Sequence, residues 1–103
     1  MSAAMQWLDR HDEGAPERLR ARMRELVAVQ PEVPDVWRTL AAAAADALAG
    51  MLPHADKRAA ALDLLAADAL LTHAAEAAAD HGPDALAAVA ELFNARAGAL
   101  AAE

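Results

Sequence analysis

His73, Glu76 and Asp80 stand at i, i+3 and i+7, a spacing that brings one imidazole and two carboxylates onto a single helix face. A divalent metal takes convergent nitrogen and oxygen donors of this kind from helical bundles, where Glu-x-x-His pairs recur. Here histidine precedes glutamate, and no second such pair exists in the chain. A solvated polar face is therefore the first reading of these three residues and a metal site the second. Asp68, Thr72 and Arg96 form another constellation. Asp63 and Asp68 are each embedded among leucines, and a buried carboxylate must be hydrogen-bonded, ion-paired or protonated. Thr72 lies one turn beyond Asp68, and Arg96 and Arg38 are candidate cationic partners. The first reading is a rim aspartate or a structural salt bridge. The second is a small-ligand site built on Asp68, Thr72 and Arg96.

Arg18, Arg20, Arg22 and Arg24 are the only concentrated positive charge. Helical geometry pairs Arg18 with Arg22 and Arg20 with Arg24, so the four flank an apolar face instead of forming one stripe. A solvated surface balanced by Glu17 and Glu25 explains them, with an anionic partner or nucleic acid as the alternative. A regulator of that second kind would bind DNA or RNA with strong salt dependence. The acidic remainder of the chain and the lack of a recognition-helix motif argue against it.

Nucleophilic catalysis has little to work with. Cysteine is absent, Ser2 is the only serine, and Thr39 and Thr72 are the only threonines. His11, His54 and His81 fall near expected helix ends without a hydroxyl partner at a recognisable spacing, and no glycine-rich phosphate loop occurs. No cofactor is expected. Residues 66–75, AADALLTHAA, resemble the alanine-rich helix of isoprenyl diphosphate synthases that reads roughly GDALLT, over about a tenth of the chain. Those enzymes hold magnesium and diphosphate on paired DDxxD motifs. This sequence has neither motif, so no fold, activity or residue role carries over.

The elements that position these residues are helices. About a third of the chain is alanine, the strongest helix former, while β-branched and aromatic residues are scarce. Prolines and glycines cut the sequence into segments, each proline standing where a helix can begin. A short N-terminal helix is expected over 2–12, ended by Gly14. The next runs from about Pro16 to Val29, with Leu19, Met23, Leu26 and Val27 on one face. Pro31 and Pro34 then enforce an extended connection. A third helix, about Pro34 to Met51, carries Trp37, Leu40, Ala44, Leu48 and Met51 along a stripe, with Asp46 at a narrow wet edge. The longest element is expected over about Ala55 to His81. Its leucines point around nearly the whole circumference, which assigns it the central place. Gly82 suits the left-handed position beyond its end, and Pro83 opens the last helix, where Leu86, Phe93 and Leu100 repeat at seven-residue spacing.

These segments make an all-α fold: a compact bundle of four main helices with a short additional N-terminal helix, as one domain over 1–103. Net charge is −7 and uneven, with seven acidic and six basic residues in 1–38 against nine and three in 39–103. The C-terminal part would repel a phosphate backbone, so nucleic acid is not the expected partner. Neither a secretory signal nor a membrane span is apparent, and a cytoplasmic protein is expected. Arginine and alanine in excess suggest a GC-rich bacterial genome. With only Trp7, Trp37 and Phe93 as aromatics, little bulky apolar volume is spread over many smooth helices. The expected role is a non-catalytic interaction or oligomerisation module, self-associating as a homodimer. Arg18, Arg20, Arg22, Arg24, Leu86, Phe93 and Leu100 are its candidate partner-facing residues. A small-ligand-binding or metal-binding bundle is the runner-up.

Overall fold

Proline and glycine set the helix ends. A computed structural model of the chain describes residues 2–101, with helices and turns and no strand among them. In order come α1 (Ala3–His11), α2 (Glu17–Ala28), α3 (Val36–Met51), a 3₁₀ turn (Leu52–His54), α4 (Ala60–Ala79) and α5 (Pro83–Ala101). This is the expected set of four main helices and a short N-terminal one. The Ser2 hydroxyl caps α1 by accepting from the Met5 N–H at 3.1 Å, while Arg10 and His11 occupy the last turn, where cations suit the negative end of the dipole. Gly82, at φ 103°, takes the left-handed conformation that lets α4 stop and α5 start within three residues.

The bundle is organised around α3, not α4. α3 packs against all four other helices, and Ala41, Ala43, Ala44 and Ala45 are wholly removed from solvent. Methyl side chains let neighbouring backbones approach from several sides at once, so the alanine-rich helix takes the middle. α4 was expected there because of its leucines. It lies instead toward the outside, with Leu64 49% and Leu65 56% exposed. Its start is also later than Ala55: Pro53 sits inside the 3₁₀ turn, further turns follow it, and the regular helix begins only at Ala60.

Buried apolar residues from all five helices join in one cluster. Leu8, Met23, Leu40 and Leu70 are its largest fully enclosed members. Trp7 and Trp37 close two of its sides, the latter with the Arg38 guanidinium 4.5 Å from its ring centre. Among the described residues, no helix is long and apolar enough to cross a membrane.

Because α3 is enclosed on several sides, added bulk has nowhere to go. Ala44→Leu is expected to destabilise the fold by about 1–3 kcal/mol. Ala87→Leu, on the exposed side of α5, should change it by no more than about 0.5 kcal/mol. Urea unfolding of both variants checks this, and equal costs would contradict the central place of α3.

Candidate functional site

The four arginines of α2 meet three different environments. Arg20 and Arg24 face α1. There Asp12, the residue that closes α1, has a side chain with no exposed surface although it sits at the negative end of that helix. A carboxylate so placed needs cations. Arg24 Nη1 approaches its Oδ2 at 3.1 Å and Arg20 Nε its Oδ1 at 3.4 Å. Neither of these two contacts has good hydrogen-bond alignment, yet both lie within ion-pair range and together offset the buried charge. Arg24 also holds Asp9 at 2.6 Å. Arg22 points the other way, its Nε donating to Asp63 of α4 at 2.6 Å and its Nη1 to Glu25 at 3.0 Å. Arg18 makes no ion pair or side-chain hydrogen bond among the described residues. The cluster is thus three struts and one unpaired cation.

Hydrogen bonds that Arg22 donates to Asp63 and then to Glu25 raise its pKa above the ordinary value. Asp9 does the same for Arg24, and Asp46 for Arg96. A raised guanidinium pKa contributes stability at every pH below the ordinary value and loses it only above that value. These bridges therefore respond to salt, not to mild alkali.

Asp68 and Arg96 do not meet. Asp68 is exposed, and the Thr72 hydroxyl donates to the Asp68 backbone carbonyl at 2.9 Å within the same helix. Arg96 grips Asp46 of α3 with two donors, at 2.8 and 3.2 Å, and the Gln30 amide donates to the same carboxylate. Asp46 is therefore a junction between α3, α5 and the end of α2, not a bare wet edge. Asp63, the other aspartate among leucines, is taken by Arg22. Arg38, offered as a partner for these aspartates, pairs with Asp35 at 3.1 Å.

His73 lies edge-on to Trp7, ring centres 5.2 Å apart, and Glu76 Oε1 is 3.8 Å from its Nδ1. Asp80 is exposed near the helix end. No group of three or more histidines and carboxylates among the described residues is placed to hold a metal ion. Trp7 also stacks on His11 at 3.7 Å, whose Nδ1–H donates to the Trp7 carbonyl at 2.7 Å. The bridges from α2 to Asp9 and Asp12, and the Trp7–His11 stack, were not foreseen. Their signal was available in the Asp9/Asp12 spacing set against Arg20/Arg24, two charge pairs that α1 and α2 bring face to face.

The α5 seam divides. Leu86 and Phe93 line a cleft of about 370 Å³ between α4 and α5, together with Leu71, Ala75, Val89 and Ala90. Leu100 instead borders a cleft with Asp46, Ala49, Gly50 and Arg96. The α4–α5 cleft has no charged residue in its lining, Asn94 being the one polar side chain there. Leu86 is 43% exposed at its rim. Comparison with protein families, with curated proteins and with solved structures finds no match to this chain.

Removing the cation nearest Asp12 leaves a covered carboxylate short of a partner. Arg24→Ala is expected to cost about 2 kcal/mol, below the about 3–5 kcal/mol of a fully buried pair because the guanidinium is partly wet. Arg96→Ala, whose side chain is 43% exposed, should cost under about 1 kcal/mol. Thermal or urea unfolding of the two variants gives the ranking, and the reverse order would refute the assignment of Asp12 as the more demanding charge.

Proposed function

We propose that this chain is a non-catalytic interaction module that self-associates as a homodimer through the outer faces of α4 and α5. The observation that carries the reading is the uncharged cleft between those helices, in a chain of net charge −7. Acidic surfaces repel one another, so two copies approach best where charge is missing. α4 and α5, of 20 and 19 residues, are joined by a three-residue turn and line this cleft together. The alanines on their outer sides permit close backbone approach, and a two-fold arrangement seats Leu86 of each copy against the Leu71 and Phe93 of the other. Leu64, one heptad before Leu71 on α4, is also exposed, with Asp68 between the two on that face. The chain encloses its own core, so association completes the cover of these outer leucines and is not needed to make the fold.

The role of catalyst is poorly supported. The histidines and carboxylates do not converge on a cavity with a nucleophile, and three of the four α2 arginines are spent on neighbouring helices. That use of the arginines also weakens the case for nucleic acid, because only Arg18 of the four remains unpaired for phosphate.

Sedimentation equilibrium at tens of micromolar should give a dimer. Leu86→Glu, at a rim position where a charge leaves the fold intact, should raise the dimer dissociation constant by about tenfold or more, equivalent to about 1.4 kcal/mol. Helix content by circular dichroism should stay unchanged. A monomer for the parent chain at that concentration would overturn the proposal.

A further inference from the structure

A second cleft, of about 520 Å³, lies between the starts of α2 and α4 on a different side of α4 from the α4–α5 cleft. Its floor is apolar, made by Leu19 of α2 with Leu62 and Leu65 of α4, and Leu65 is more than half exposed within it. Arg18 and Arg58 stand in its lining. Neither guanidinium has an ion pair or hydrogen bond among the described residues. One turn further along α2, on the same face, Arg22 reaches across to α4 and finds Asp63. Arg18 finds no such carboxylate, and Arg58 is the other charged residue in the cleft lining. Two exposed cations bordering an apolar cleft, with no carboxylate in its lining, give it a positive rim that attracts an anion.

The positive end of α2 adds to the same potential. Pro16, the residue before α2, lines the cleft and supplies no side-chain cap, so the first-turn N–H groups of that helix have no capping acceptor. The volume falls in the range of small-molecule clefts, about 300–1,000 Å³. The lining offers neither an aromatic ring to stack a base nor a row of cations to follow a phosphate chain.

We propose that the α2–α4 cleft binds an amphipathic monoanion, a carboxylate on an unbranched apolar tail, with Arg18 and Arg58 holding the head and Leu19, Leu62 and Leu65 covering the tail. Head and tail have distinct roles. The guanidiniums present planar pairs of donors that match a carboxylate, and the exposed leucines gain by leaving water.

The test is an amide NMR titration of the full chain with sodium decanoate below its micelle concentration. Decanol, decyltrimethylammonium and acetate serve as separate arms. Decanoate is expected to give saturable shifts centred on residues 17–19 and 58–65, with acetate and the cation giving little. An Arg18→Gln/Arg58→Gln variant, altered only at exposed side chains, should keep its circular dichroism spectrum and bind decanoate about tenfold or more weakly. Leu65→Asn should weaken decanoate without affecting the weak acetate response. The proposal is overturned if decanoate gives no saturable shift, if decanol or the cation shifts the same amides equally, or if the double arginine variant binds as the parent does. Repeating the titration in the Leu86→Glu background keeps this outcome separate from that of self-association, because the two clefts share no residue.

Discussion

Close backbone approach around α3 is the constraint on which the rest of the molecule depends. With Ala41, Ala43, Ala44 and Ala45 all removed from solvent, one helix can be touched by four others without a thick layer of side chains between them. The consequence is a core of many small contacts. Each methyl contributes little transfer energy, roughly 0.8 kcal/mol per buried carbon group, so the few large residues acquire individual importance. Leu8, Met23, Leu40 and Leu70 fill the interior, and the tryptophans wedge its sides. Leu64, Leu65 and Leu86 stay outside this thin core, in a chain poor in large apolar groups.

Ion pairs hold the outer helices to this frame. Asp12 ties α1 to α2, Asp63 ties α2 to α4, and Asp46 joins α3 to α5 and Gln30. Each bridge crosses between helices, and each uses arginine, whose planar fork keeps several donors on one carboxylate. Most are partly exposed and contribute modestly to stability. Their larger effect is on register, since a slide of one turn would put Ala59 or Ala67 in the place of Asp63, and Ala42 or Gly50 in the place of Asp46. Arg18, one turn before Arg22 on α2, has no such carboxylate partner among the described residues.

The helix ends were legible because their signals are local. Pro16, Pro34, Gly82 and Pro83 act through their own φ angles or missing donors, and the observed ends fall within about two residues of the expected ones except at the start of α4. That exception is also physical. Lys57, Arg58 and the alanines around them are good helix formers, but Pro53 starts a chain of turns that propensity does not reveal. The identity of the central helix was misread because leucine content was taken as the measure of burial. In an alanine-rich bundle, smallness decides who sits in the middle. The bridges were harder still: Arg22–Asp63 and Arg96–Asp46 span 41 and 50 residues. A periodicity argument sees only neighbours three or four positions apart.

The apolar residues of α4 face three ways. Leu70 and the alanines at 66, 67, 74, 77 and 78 turn toward the core. Leu62 and Leu65 turn toward the cleft with α2, and Leu71 with Ala75 toward the cleft with α5. A helix apolar on all sides is usually enclosed by its own fold. Here the fold supplies one wall, and two clefts remain open on the other sides. Apolar residues kept on three faces, in a chain that has few to spare, are economically explained if each face has a covering. The proposed partners supply the missing two: a second copy on the uncharged side, where acidic surfaces can meet, and an anion with an apolar tail on the side where two arginines are left without carboxylates.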